Sequence, residues 1–213
     1  MSHLHLPDGV VPGPWLVAGY LGAAALLALA VLRLRRQDWV AALPRLGGVA
    51  GMMLLAMSIP LGFLPYHLNL TVLAGVVLGP WGGALAGFCV CLLLALVGHG
   101  GITVLGLNTL VLGGEAVVGW ALYRLARLRL PPALAAGLAT LVTLSLSMAA
   151  VVAFLAVALS GTGFEIRRFL PLALPFLGVG AVVEAGVVGA LTGFLGAVRP
   201  DLLEGRVPAR RPL

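Results

Sequence analysis

The stretch Gly-Pro-Trp-Leu-Val-Ala-Gly-Tyr-Leu-Gly-Ala-Ala-Ala-Leu-Leu-Ala-Leu-Ala-Val-Leu, residues 13–32, is almost entirely apolar and is followed by Arg33, Arg35 and Arg36. About 20 such residues allow one helix to cross the hydrocarbon core of a bilayer. The whole chain follows this pattern, with 61% hydrophobic and 9% charged residues. Because soluble domains carry about 25% charged residues, the sequence predicts an all-α integral membrane protein.

Further apolar stretches follow with no internal repeat and no linker, so we predict about seven transmembrane helices in a single multi-pass domain of residues 1–213. The stretches are 13–32, 46–64, 68–78, 84–97, 104–122, 133–159 and 170–198. The third and fourth are too short to be ordinary spans. Short or glycine-interrupted segments of this kind often line a binding site.

The basic residues are all arginine, and their placement predicts the orientation of the chain. Loops rich in arginine face the cytoplasm. With the N-terminus outside and the C-terminus inside, Arg167 and Arg168 are the two of 13 basic residues that face outward. Residues 199–213 then form a cytoplasmic tail. Because the arginines lie in short gaps between spans, they are expected to orient helices at the lipid bilayer, and no nucleic acid partner is expected.

The same topology places all four histidines, His3, His5, His67 and His99, on the outer face. Imidazole is the commonest protein ligand for nickel, cobalt, copper and zinc. A group of four on one face of a chain with so few polar residues therefore indicates a metal site, to which residues 1–12 contribute a metal-binding N-terminal segment.

The N-terminus adds nitrogen donors of another kind, and two arrangements are open. If Met1 stays, Met1-Ser2-His3 offers four nitrogens from amine, backbone amides and imidazole. If Met1 is removed, Ser2-His3 offers three, and His67 can supply the fourth. A planar nitrogen set suits Ni(II) or Cu(II) better than tetrahedral Zn(II). We favour the second arrangement because a transport site has to release its ion.

Other polar residues lie close to this site or within the spans. Asp8 follows Pro7 and precedes Gly9, which predicts a turn that folds the N-terminal segment back toward the membrane. Asn108 lies near the beginning of the fifth stretch and should hydrogen-bond a site or helix partner. Glu115 and Glu184 are the acids deep in spans, where carboxylates are costly and often functional.

The sequence also argues against catalysis. Cys89 and Cys91 point roughly 200° apart on a helix, which fits buried small residues better than a metal site or a disulfide. No His-Glu-x-x-His motif occurs, and a P-loop is impossible without lysine. We therefore predict a protein that is not an enzyme, that has no cofactor, and that needs a partner for uphill transport.

Taken together, several motifs resemble one known family. They are His5-Leu6-Pro7-Asp8-Gly9, Tyr66-His67-Leu68, Val77-Leu78-Gly79-Pro80-Trp81, Gly98-His99-Gly100-Gly101-Ile102-Thr103 and Leu105-Gly106-Leu107-Asn108. They are similar to the signatures of the CbiM/NikM family, the nickel/cobalt substrate-binding component of energy-coupling-factor ABC transporters. The resemblance is good over residues 3–127 and rests on hydropathy beyond them.

The resemblance implies a seven-span fold in a prokaryotic plasma membrane, whose N-terminus inserts into the protein. It implies that the transported Ni(II) or Co(II) is held by the terminal amine, the adjacent histidine and a histidine matching His67. By register the adjacent histidine is His5, whereas by chemistry Ser2-His3 recreates the amine–histidine pair. His99 replaces the family aspartate and is expected to be an accessory ligand, with Asp8 and Asn108 supporting the site.

The implied partners are a transmembrane coupling protein, cytoplasmic ATPase subunits and a small accessory membrane protein. Two other functions stay open from the sequence. A component for an organic vitamin would need an aromatic-lined cavity, for which the chain offers Trp15, Tyr20, Tyr66 and Trp81. A membrane scaffold subunit would carry its histidines incidentally.

Overall fold

The computed structural model describes residues 6–35, 39–59, 66–160 and 166–204. Within these ranges the chain forms α-helices, no strand, and one short 3₁₀ turn at Pro200–Glu204. The helices are α1 (Gly13–Leu34), α2 (Trp39–Ser58), α3 (Thr71–Leu96), α4 (Leu105–Ala126), α5 (Pro132–Ala158) and α6 (Ile166–Val198). The all-α prediction is therefore confirmed for the described part of the chain.

Five helices in the described ranges are long and apolar enough to cross a membrane. They are α1, α3, α4, α5 and the part of α6 from Gly178 to Val198. The apolar part of α2, Ala42–Ser58, is shorter. Large apolar side chains remain exposed on the outer faces of these helices, as expected where lipid is the solvent.

The second predicted stretch, 46–64, is wrong at its beginning, because α2 already begins at Trp39. The prediction placed Arg45 in the loop after the first span, yet Arg45 and the preceding Pro44 both lie inside the helix. Pro44 is the sixth residue of α2, past the first turn, so the helix lacks the backbone hydrogen bond that an N–H at this position would donate. The helix ends at Ser58, and residues 60–64 lie outside the described residues.

The third and fourth predicted stretches, 68–78 and 84–97, largely overlap α3, which is broken at Gly79. This residue has φ 76° and ψ 171°, a backbone conformation that glycine adopts readily. Gly83 packs against the backbone of Gly75, and His67 and His99, beyond the two ends of α3, approach each other. The chain therefore reverses direction at Gly79, so that His67 and His99 lie at the same end of the molecule.

The opposite end of the molecule carries arginine. The Arg33 guanidinium, at the end of α1, lies 5.8 Å from the centre of the Trp81 ring, next to the break in α3. A guanidinium within about 6 Å of an aromatic ring is attracted to its face. The described histidines and this arginine therefore lie at opposite ends of the bundle.

Close backbone contacts hold α3 against α4. A Cβ atom at Gly75 would collide with the carbonyl oxygen of Ala116. Small residues of this kind let transmembrane helices approach closely and gain van der Waals contact. The contact fixes the first half of α3, which begins directly after the segment that carries His67.

We expect Gly75→Ala to destabilise the protein by about 1–3 kcal/mol, as overpacking does in close-packed cores. The measurement is the thermal midpoint of the detergent-solubilised protein. Gly48→Ala is the matched control, since a Cβ atom at Gly48 meets nothing within 4 Å. Equal midpoints for both variants would contradict the role of this contact.

Candidate metal centre

Two histidines meet at one end of the bundle. His67 lies in the segment 66–70, before α3, and His99 lies in the loop that connects α3 to α4. Their ring centres are 5.2 Å apart and their planes are inclined by 70°. The reversal of the chain at Gly79 thus brings together two imidazoles that are 32 residues apart in sequence.

The surroundings of His67 favour its neutral form. Burial lowers the pKa of His67 below its ordinary value of 6.5, and the nearby His99 lowers it further. A hydrogen bond with the Met57 backbone works in the opposite direction. Because neutral imidazole is the form that binds metal ions, His67 is prepared to act as a ligand at neutral pH. His99 is exposed and lies at the mouth of the site.

The N-terminal segment is fastened beside these histidines by Asn108, in the first turn of α4. The Leu6 N–H donates to Asn108 Oδ1 at 3.0 Å, and Asn108 Nδ2 donates to the Leu6 carbonyl at 3.2 Å. Leu6 is 4% exposed. One side-chain amide therefore satisfies both backbone groups of a buried residue that has no helix or strand of its own.

Asp8 makes a second connection, to the loop that carries His99. Its carboxylate accepts hydrogen bonds from the Ile102 N–H at 3.2 Å, from the Thr103 N–H at 2.9 Å and from the Thr103 hydroxyl. The Thr103 hydroxyl is the main reason why the pKa of Asp8 lies below its ordinary value of 3.8, and backbone bonds from Thr103 and Ile102 add to the effect. Asp8 thus joins residues 6–8 to the His99 loop.

The lowered pKa of Asp8 gives a sign for the pH dependence of this connection. The bond should stabilise the protein fully above about pH 4 and lose strength as the pH falls through the lowered pKa. We therefore expect Asp8→Asn to lower the thermal midpoint equally from about pH 7 to about pH 5. The gap to the wild type should shrink below that range. A gap that does not change with pH would show that the Asp8 charge has no part in the connection.

The predicted ligands Ser2, His3 and His5 lie outside the described residues. Within the described ranges, no three His, Cys, Asp or Glu side chains converge in a way that could hold a metal ion. Cys89 and Cys91 are free thiols. The described part of the chain therefore offers two convergent imidazoles and an anchored N-terminal segment.

Below the histidines lies a polar network that the sequence did not predict. Glu184, which is 0% exposed, accepts hydrogen bonds from the Tyr66 hydroxyl and from the N–H groups of Asn69 and Leu70. Asn69 is equally buried, and its side chain continues the network toward α4. Glu184 therefore binds the segment 66–70 directly.

Glu115, on α4, is the second acid of this network. Its carboxylate accepts hydrogen bonds from Asn69 Nδ2 and from the Ser147 hydroxyl of α5, both at 2.6 Å. Both deep acids are thus engaged by neutral donors around the segment that carries His67. Asn69 is an amide inside the predicted stretch 68–78, but nothing near it in the sequence indicated Glu184 or Glu115 as partners.

A cavity of about 280 Å³ lies next to this network, and its polar lining residues are Tyr66, Asn69, Asn108, Glu115, Ser145 and Ser147. Among the described residues that line this cavity, Tyr66 is the one aromatic residue. The other three aromatic candidates for a vitamin site pack elsewhere: Trp15 against Phe154, Tyr20 through a hydrogen bond to the Ile102 carbonyl, and Trp81 against Arg33. No aromatic cage forms in the described part of the protein.

Known proteins of similar sequence are metal transporters. The chain is 32% identical to the cobalt transport protein CbiM of Sorangium cellulosum, over 94% of this chain and 95% of that protein. It is 30% identical to a putative fused nickel transport protein NikMN of Archaeoglobus fulgidus, over 94% of this chain and 68% of that protein. These relatives are named as transport proteins and not as enzymes.

Two solved structures have a similar fold. A crystal structure of a transition metal transporter superposes with a TM-score of 0.81, covering 92% of this chain and 93% of that one at 21% identity. A truncated transition metal transporter gives a TM-score of 0.77, covering 93% of this chain and 99% of that one at 20% identity. At this identity the likeness concerns the fold.

The family profile decides the identity of the chain. The profile described as cobalt uptake substrate-specific transmembrane region matches residues 5–202, which is nearly the whole sequence. Together with the apolar helices, this match makes the chain a multi-pass protein of the prokaryotic plasma membrane. The chain belongs to the CbiM family of cobalt and nickel uptake proteins.

Proposed function

We propose that the chain is the substrate-binding component of an energy-coupling-factor importer and that it captures Ni(II) or Co(II) at the outer face of the membrane. The ligands would be the Ser2 amine, His3 or His5, and His67, with His99 as an accessory ligand. The observation that carries the proposal is the 5.2 Å approach of the His67 and His99 rings beside an anchored N-terminal segment. Neutral nitrogen donors of this kind suit nickel and cobalt.

The anchoring of Leu6 supports His5 as the first imidazole. His5 directly precedes Leu6 in sequence, and Asn108 holds the Leu6 backbone beside α4. A Cβ atom at Gly100 would lie 3.9 Å from the Asn108 amide nitrogen, which means that the loop carrying His99 passes the same point. His3 remains the alternative, through the Ser2-His3 chelate.

The proposed topology has seven crossings, the N-terminus outside and the C-terminus inside. It is supported by the separation of the described histidines from Arg33 and Trp81 at the other end of the bundle. Arginine-rich ends face the cytoplasm, so the histidines would face the exterior. The partners would be a transmembrane coupling protein, cytoplasmic ATPase subunits and a small accessory membrane protein.

The test is calorimetric titration of the purified protein with Ni(II), Co(II) and, as a control, Mg(II). Intact mass first establishes which residue carries the amine. A form with residues added ahead of that amine should bind more weakly, and comparison of His3→Ala with His5→Ala assigns the first imidazole. If neither Ni(II) nor Co(II) binds or raises the thermal midpoint, the capture proposal fails and a scaffold role becomes the better reading.

A further inference from the structure

The segment 66–70 presents His67 and lies outside any helix or strand, although the Leu70 carbonyl accepts the first hydrogen bond of α3 from the Ala74 N–H. Two of its backbone N–H groups donate instead to one carboxylate on α6. The Asn69 N–H donates to Glu184 Oε2 at 3.2 Å, and the Leu70 N–H donates to Glu184 Oε1 at 2.9 Å. Buried backbone donors of this kind need a partner, and Glu184 supplies it from 114 residues further along the chain.

The same face of α6 also holds the beginning of the segment. The Tyr66 hydroxyl donates to Glu184 Oε2 at 2.9 Å. The Tyr66 ring lies on Gly180, one helical turn before Glu184, so closely that a Cβ atom there would collide with the ring. Gly180 and Glu184 thus hold the segment on both sides of His67.

Asn69 locks the end of the segment. Its side-chain oxygen accepts the Thr71 N–H at 2.6 Å, and its amide donates to Glu115. Leu70 has φ 56°, a conformation that is unfavourable for a residue with a branched side chain. Such a backbone persists only where surrounding contacts impose it, and the Leu70 N–H is one of the groups that Glu184 holds.

We propose that Glu184 is a positioning residue for ion binding, which acts by holding the segment 66–70 so that the His67 imidazole stays beside His99 at the proposed metal centre. This inference rests on the proposed function. Glu184 does not itself contact the ion, since its carboxylate is engaged by residues on either side of His67. Ligand positions have to be kept within about 0.5 Å of the productive geometry, and supporting hydrogen bonds provide this precision.

The decisive variant is Glu184→Gln, because both carboxylate oxygens of Glu184 accept hydrogen bonds. The glutamine side chain has one oxygen acceptor and one NH₂ group, which is a donor. At least one of the groups that now donate to Glu184, namely the Tyr66 hydroxyl and the N–H groups of Asn69 and Leu70, therefore loses its acceptor. We expect the affinity for Co(II) to fall about 10- to 100-fold, the range found when supporting partners of metal ligands are removed. Tyr66→Phe removes one donor and should produce a smaller loss.

The experiment is a double-mutant cycle measured by Co(II) calorimetry on the wild type, Glu184→Gln, His67→Ala and the double variant. If Glu184 acts through His67, adding Glu184→Gln to His67→Ala has no further effect. The visible spectrum of bound Co(II) in Glu184→Gln should move toward that of His67→Ala, which a general loss of stability does not produce. Gly186→Ala is the control on the same helix, because a Cβ atom there meets nothing within 4 Å.

The outcomes separate the two proposals. If His67→Ala binds Co(II) as the wild type does, the proposed function fails, and this inference fails with it. If His67→Ala weakens binding but Glu184→Gln lowers affinity additively or not at all, the positioning role is overturned while the proposed site stands. Where Glu184→Gln fails to fold, Tyr66→Phe and Gly180→Ala test the same point by the same cycle.

Discussion

His67→Ala is expected to weaken binding of Ni(II) or Co(II) by about 100-fold, which corresponds to about 2.8 kcal/mol. The variant removes a partly buried imidazole whose pKa is lowered by burial and by the nearby His99, so that it is neutral and ready to coordinate at neutral pH. Calorimetric titration of the detergent-solubilised protein measures the change directly.

The matched control for this variant is His99→Ala, which removes the other imidazole of the described pair. His99 is exposed at the mouth of the site, so its removal should weaken binding less than the loss of His67. The opposite order would make His99 the principal ligand. If both variants bind the ion as tightly as the wild type does, neither His67 nor His99 is a ligand.

Asn108→Leu is expected to have the second largest effect, on both stability and ion binding. The variant leaves the N–H and the carbonyl of buried Leu6 without their partner. An unsatisfied buried polar group costs about 1–3 kcal/mol, so the N-terminal segment should detach from α4. The ion affinity should then fall at least about tenfold, since each 1.4 kcal/mol corresponds to a factor of ten.

Hydrogen exchange of residues 6–12 and calorimetry with Ni(II) measure the two consequences of Asn108→Leu. Thr109→Val is the control at the next position of α4. The Thr109 hydroxyl is buried without a hydrogen-bond partner among the described residues, so its replacement should leave both measurements near the wild type. Fast exchange of residues 6–12 with unchanged affinity would separate the anchor from the ion site.

The hydropathy of the chain was sufficient to predict most helices. The predicted stretch 133–159 and α5 (Pro132–Ala158) agree to within one residue, because long apolar runs have few alternatives in lipid. The beginning of α2 was missed because Arg45 was assigned to the loop after the first span, whereas the helix already begins at Trp39. The short predicted stretches 68–78 and 84–97 correspond to the two halves of α3, which lie on either side of Gly79, where the chain reverses.

The candidate site was predictable where residue type alone carries the chemistry. Histidine and the turn residues around Asp8 are easily recognised in so apolar a sequence. The supports of the site could not be found in this way, because hydrogen bonds such as that from Asn69 to Glu115 join residues 46 positions apart. No periodicity in the sequence records such a pairing, which arises only when three helices have packed.

The bond between Asp8 and Thr103 spans 95 residues, and this distance has a consequence for biosynthesis. The N-terminal segment leaves the ribosome first, yet its anchor is made only when the beginning of α4 has been synthesised. At about 5–20 residues per second, this delay lasts about 5–20 s. During that time the N-terminal segment has no anchor on the chain, so under the proposed function ion binding follows synthesis of the beginning of α4.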